Sequence, residues 1–219
     1  RARDQASNLT NMLERAGAEI LEFPTIQTRS VAPPKIGAAD EYDWLVFTSA
    51  NGVGYFVKAL EAAGRRMAEF RNVSICAVGP ATAEVLRGHA LPVALTPEKF
   101  VAESLMDAFL SIEGELAGQR FLLPRGNLAR PFLPDALREK GAVVTEAVVY
   151  ETFPAEVTPE RIAVLMNKTP DVVTFTSSST ADYFCKAVGA ANLKQLKEKV
   201  LFASIGPQTT LTAEKLGLK

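Results

Sequence analysis

Part of this chain occurs twice. Leu45-Val46-Phe47-Thr48-Ser49 is matched 128 positions on by Val173-Thr174-Phe175-Thr176-Ser177, and Val78-Gly79-Pro80-Ala81-Thr82 is matched 127 positions on by Ile205-Gly206-Pro207-Gln208-Thr209. A third match sets Leu13 to Ala18 against Leu137 to Ala142, 124 positions apart, and its register lays Arg1 on Arg125. Three matches at nearly constant spacing indicate two copies of one supersecondary pattern. In each copy an apolar run, of the kind a strand covered on both faces carries, stops at Phe-Thr-Ser, and small polar residues then open a helical pattern. Hydroxyls at such a turn can cap the helix, and the backbone N–H groups of its first turn favour an anion.

The order of the matches is topological information. Arg125 follows the Phe-Thr-Ser and Gly-Pro elements of its half, whereas Arg1 precedes those of the other. One domain is therefore expected to be discontinuous, residues 1–24 plus 155–219, with a second, 38–141, inserted into it. Segments 25–37 and 142–154 connect the two, and their β-type alternation predicts a two-stranded ladder. Strand and helix patterns alternate, so the expected class is α/β: two similar parallel-sheet domains of flavodoxin or Rossmann type. Expected strands include 18–23, 73–78, 92–95, 121–124 and 200–205. The first helix is expected to turn Leu9, Met12 and Leu13 to one face. The same comparison anticipates a strand before Arg1 and a strand with a helix after Lys219.

Composition narrows the function classes. A formal charge of −1 on 219 residues gives no global pull toward nucleic acid or an anionic membrane, so an anionic ligand must be met by local groups. No run approaches the ~20 apolar residues of a membrane span, and Cys76 and Cys185, without a Cys-x-x-Cys pairing, read as buried thiols of a reducing compartment. A cytoplasmic location is the default expectation. His89 is the single histidine, which leaves no Ser-His-Asp triad or histidine-rich metal site. Gly52-Val53-Gly54 lacks the third glycine of a dinucleotide loop, and no Walker A lysine is present.

Phe47-Thr48-Ser49-Ala50-Asn51, Val78 to Thr82, Pro124-Arg125-Gly126-Asn127-Leu128, Val149-Tyr150-Glu151-Thr152, Phe175 to Ser179 and Ile205 to Thr209, in this order and spacing, resemble the uroporphyrinogen-III synthase family. The resemblance covers essentially the whole chain. It implies two α/β domains joined by a β-ladder, with a tetrapyrrole bound in the cleft between them. It also implies the reaction: linear hydroxymethylbilane loses its terminal hydroxyl as water and closes with inversion of the last pyrrole, through a spiro intermediate. No metal or organic cofactor is implied. The implied partner is the linear tetrapyrrole, with neither nucleic acid nor membrane; the chain is expected as a monomer, with functional coupling to hydroxymethylbilane synthase or a fused pathway enzyme left open.

By the same resemblance Tyr150 is the catalytic acid, since hydroxide leaves a carbinol poorly unless protonated. Otherwise it is a packed tyrosine on a linker strand. Thr48, Ser49, Asn51, Ser177, Ser178, Ser179 and Thr209 are candidate holders of substrate carboxylates, with helix N-capping as the alternative reading of each. Arg1, Arg125, Gly126 and Asn127 complete the candidate binding set. Arg125 follows a strand, where α/β folds place ligands, and a guanidinium can grip a carboxylate with two hydrogen bonds. Arg3 and Arg130 read as surface cations, Thr82 as structural, and Lys194, Lys197 and Lys199 as a solvated helix face. Two rival functions stay open: a two-domain binder of small anions, and a regulatory paralogue that keeps the fold without the catalysis.

Overall fold

A computed structural model describes residues 7–32, 36–99 and 102–218. The chain divides into two compact units, one comprising Arg1–Thr28 with Thr152–Lys219 and the other Arg29–Glu151. Arg1 and Arg3 lie outside the described residues.

The second unit is built on alternation. Strand β2 (Trp44–Phe47) is buried at every position, with Leu45 and Phe47 on one face and Trp44 and Val46 on the other. Helices α2 (Ala50–Ala62) and α3 (Pro80–Gly88) cover the first face with Val53, Phe56, Leu60, Ala83 and Leu86. The other face is covered by α4 (Ala102–Glu113) and α5 (Phe132–Glu139), through Leu105, Phe109, Leu133 and Leu137. Two clusters thus sandwich one sheet, and each fully buried Leu or Phe contributes about 1.5–3 kcal/mol.

β2 pairs in parallel with β3 (Ser74–Ala77) on one side and β4 (Arg120–Gly126) on the other, and β4 pairs in parallel with β5 (Val143–Pro154). β1 (Ile26–Ser30) closes the order β1-β5-β4-β2-β3. Val31 N donates to Val149 O and Ala155 N to Thr25 O, so β1 runs antiparallel to β5 and the sheet is mixed. Asp43 locks the strand starts: its carboxylate accepts from Arg120 N, Nε and Nη2 at 2.8, 3.1 and 2.7 Å. Residues 92–95, expected as a strand, make a single bridge, Cys76 to Leu95.

The first unit repeats the plan with fewer layers. β6 (Val172–Phe175) and β7 (Leu201–Ser204) pair in parallel, each followed by a helix, α7 (Ser178–Val188) and α9 (Pro207–Lys215). α6 (Pro159–Lys168) and α8 (Ala190–Lys197) complete its later elements. Phe175, Phe184, Leu165, Val188, Leu196 and Ala213 form its core. The expectation of a strand covered on both faces does not hold for β6: Val172 and Thr174 are exposed, and the helix over Ser7–Arg15, which the repeat register sets on α5, lines a groove with them.

Two further expectations are corrected. Residues 18–23 enter no ladder; together with Leu9, Leu13 and β6 they line a groove of about 710 Å³. By the repeat register these residues correspond to the start of β5. In α1 (Ser7–Arg15), Met12 is 70% exposed and does not share the buried face expected for it.

Candidate functional site

Each Phe-Thr-Ser element ends its strand and caps the next helix. Ser49 has extended backbone, and its Oγ accepts from Gly52 N at 3.1 Å. Ser177 does the same for Thr180 N at 3.3 Å, and Thr180 Oγ1 accepts in return from Ser177 N at 3.2 Å, forming a reciprocal capping box. Thr48 is exposed and Asn51 half-buried in the first turn of α2. Ser179 shares a hydrogen bond with Ser177 at 3.0 Å. Ser178 donates to Gln208 O at 3.2 Å and accepts from Thr212 at 2.8 Å, tying α7 to α9. Thr209 and Thr82 are both buried, each on the first turn after a Gly-Pro that sets the helix start. Lys197 donates to Leu216 O at 2.8 Å, so it fastens the end of α9 as well as facing solvent.

Tyr150 stands on β5 opposite Gly126. The β4–β5 register pairs Arg125 with Val148 and then Gly126 with Tyr150, and this irregularity brings the tyrosine onto the glycine. A side chain at residue 126 would collide, since an added Cβ would lie 2.6 Å from Tyr150 Cζ and 2.9 Å from its oxygen. Asn127 N donates to Tyr150 O at 3.1 Å, while the Asn127 side chain is exposed. The Ser49 hydroxyl stands beside the phenol, and Tyr55 stacks on its ring with centroids 4.9 Å apart and planes 19° apart. Burial raises the phenol's pKa above its ordinary value, with the Ser49 hydroxyl opposing and the neighbouring Tyr55 reinforcing the rise. At neutral pH the group is therefore a held, protonated donor.

Arg125 is buried, and its guanidinium is engaged within the protein. It ion-pairs with Glu146 and donates to Ala129 O at 2.5 Å and Arg130 O at 2.7 Å. Glu146 also accepts from Arg138 at 2.8 Å, and Arg130 pairs with Glu103 at 2.9 Å. Arg125 thus shapes the loop that follows Gly126. Sequence reading saw the strand end but not these partners, because Glu146 enters through the β4–β5 pairing.

Tyr55 and Gly52 also escaped it. Gly52 lets α2 approach β4: an added Cβ would lie 3.2 Å from Pro124 O. A signal for Tyr55 existed, since Tyr55-Phe56-Val57-Lys58 is matched 128 positions on by Tyr183-Phe184-Cys185-Lys186. Lys58 Nζ lies 5.2 Å from the Tyr55 ring centroid, and Lys186 Nζ lies 5.1 Å from that of Tyr183.

The fold and these strand-end groups define an α/β protein whose candidate chemistry is a proton-donating phenol beside the hydroxyl-capped start of α2. The family model for uroporphyrinogen-III synthase HemD matches residues 7–219. The chain is 33% identical to the uroporphyrinogen-III synthase of Synechococcus elongatus over 99% of this chain and 84% of the relative. It is also 33% identical to that of Chlorobaculum parvum over 100% and 88%. A crystal structure of a mutant uroporphyrinogen III synthase from Thermus thermophilus superposes with a TM-score of 0.65 at 21% identity, covering 99% of this chain and 87% of that one. The chain belongs to the uroporphyrinogen-III synthase family, cyclising lyases of porphyrin biosynthesis.

Proposed function

We propose that this chain closes hydroxymethylbilane to uroporphyrinogen III with Tyr150 as the acid. The phenol gives its proton to the terminal carbinol oxygen, the C–O bond breaks, and water leaves a cationic pyrrolylmethyl carbon. Charge left on the phenolate is met by the Ser49 hydroxyl. The substituted α-carbon of the last pyrrole attacks that carbon to give the spiro species; its earlier bond to the methylene of the neighbouring ring then breaks, and that methylene carbon bonds the pyrrole's unsubstituted α-carbon, which inverts the ring. The proton lost when the pyrrole regains aromaticity returns to the phenolate, so the step balances as loss of one water.

Substrate carboxylates are assigned to Thr48, Ser49, Asn51 and Asn127 in one unit and to Ser177, Ser178, Ser179 and Thr209 in the other. Arg1 is proposed as a further cation. Arg125 is proposed to present Gly126 and Asn127 through the loop it holds. Groups on both domains are assigned to the substrate, so positioning is the larger contribution. A monomer acting in the cytoplasm, receiving a labile bilane from the enzyme that makes it, is the simplest setting.

The observation that carries this reading is the phenol's mounting: Tyr150 over Gly126, against Ser49 and Tyr55. Freshly made hydroxymethylbilane should be converted to the type III isomer. Type I product alone, at the uncatalysed rate, sinks the enzyme reading, and unchanged kcat in Tyr150→Phe removes the acid role.

A further inference from the structure

We propose that Tyr55, which no motif of the family resemblance includes, is a positioning residue for the Tyr150 phenol, an inference that rests on Tyr150 being the acid. A half-buried tyrosine on a strand can swing about its side-chain torsions, and a proton donor is useful only when its oxygen is fixed. Gly126 limits the ring on one side, and the Ser49 hydroxyl stands beside the oxygen. The Tyr55 ring, nearly parallel to that of Tyr150, supplies a platform. Ser49 caps α2 and Tyr55 sits within it, so a single rigid helix carries both contacts to the phenol. Lys58, one turn further on, steadies the platform through its ammonium above the Tyr55 ring.

The chain carries its own control. Tyr183 and Lys186 reproduce the tyrosine–lysine pair on α7, so the pair itself follows from helical spacing. What differs is the strand residue. The repeat register that sets Leu13 on Leu137 puts Ile26 where the other unit has Tyr150. The helix motif is common to both units, and only one of them offers it a phenol to hold.

The experiment compares steady-state kinetics on fresh hydroxymethylbilane for Tyr55→Leu, Tyr55→Phe, Tyr183→Leu, Tyr150→Phe and the double variant Tyr55→Leu with Tyr150→Phe. Each is assayed below the onset of its thermal unfolding. Tyr55→Leu is expected to lower kcat about fivefold, the size of one lost aromatic contact, with KM little changed. Tyr55→Phe, which keeps the platform, should recover most of that loss, and Tyr183→Leu should leave kcat where it is. In the Tyr150→Phe background Tyr55→Leu should cost nothing further. Wild-type kcat in Tyr55→Leu, an equal loss in Tyr183→Leu, or an undiminished loss without the phenol each overturns the positioning role while Tyr150 keeps its own. Should Tyr150→Phe alone match the wild type, the acid reading fails and the positioning role fails with it.

Discussion

The two Phe-Thr-Ser turns share sequence and local geometry and differ in what surrounds them. Ser49 and Ser177 both have extended backbone and both cap a helix through the N–H three residues on. Beneath each lies an aromatic cluster, Phe47 against Phe56 at 5.6 Å and Phe175 against Phe184 at 5.5 Å. Yet β2 lies between two neighbours and under two helical layers, whereas β6 pairs with β7 and shows one face to solvent among the described residues. Ser49 consequently meets a phenol brought in by β5, while Ser177 spends its hydrogen bonds on Thr180 and Ser179. A turn's shape is local, but its chemistry is set by the strand beside it.

The largest expected effect tests the layers. Phe47→Ala and Phe175→Ala should each cost about 3–5 kcal/mol, the usual range for emptying a buried aromatic site. Phe47 should lie at the upper end, because its sheet is covered on both faces. Urea denaturation followed by circular dichroism gives both numbers, and equal or reversed costs would break the contrast. Next comes Gly126→Ala. Its methyl group would displace the Tyr150 ring, and a displacement near 1 Å can cost on the order of 100-fold in rate, about 2.7 kcal/mol. Gly206, a strand-end glycine of the other unit, is the control: nothing lies within 4 Å of a Cβ added there, so Gly206→Ala should change kcat/KM little.

These differences show which parts of the molecule were legible in the sequence. Both turns could be read, because N-caps and proline in a first turn are decided within a few residues. The α/β pattern of the inserted segment could be read for the same reason, from Trp44 to Phe47 alternating between two faces. Residues 18–23 misled, since a β-type pattern shows a capacity to pair and says nothing of whether a partner is beside it. The partners of Arg125 could not be read, because Glu146 is brought in by strand register, 21 residues away. Tyr150 was singled out by resemblance alone; its contact with Gly126 depends on an irregularity in the β4–β5 pairing that no local signal announces.

The paired serines give a finer test. Ser49→Ala and Ser177→Ala should each cost about 1 kcal/mol of stability, the usual worth of an N-cap. Their kinetics should part. Ser49→Ala removes the donor that meets the phenolate, so kcat should fall about tenfold or more, as for one hydrogen bond to a charged group. Ser177→Ala should act on KM instead, because its hydroxyl faces no acid. The same kcat loss in both would erase the distinction drawn between the turns.

The smallest effect concerns Asp43, which begins β2 as Asp171 begins β6. The two share a backbone role: Asp43 O accepts from Ser74 N and Asp171 O from Leu201 N. Asp43 also carries an ion pair, and hydrogen bonds from the Arg120 side chain hold its carboxyl below the ordinary value despite some opposing desolvation. A depressed carboxyl stabilises the fold above its unfolded pKa of about 3.9. That contribution fades as pH falls through the lower folded value, because the unfolded chain takes up the proton first. With the two side chains 36% and 44% exposed, solvent screening limits the contribution to less than about 1 kcal/mol. Urea midpoints at pH 5 and pH 3 should therefore lie closer together in Asp43→Asn than in the wild type, and 0.5 M salt should narrow the wild-type gap. An unchanged gap in Asp43→Asn would show that the lock at the start of β2 is made by the backbone alone, as at β6, and would remove this electrostatic difference between the units.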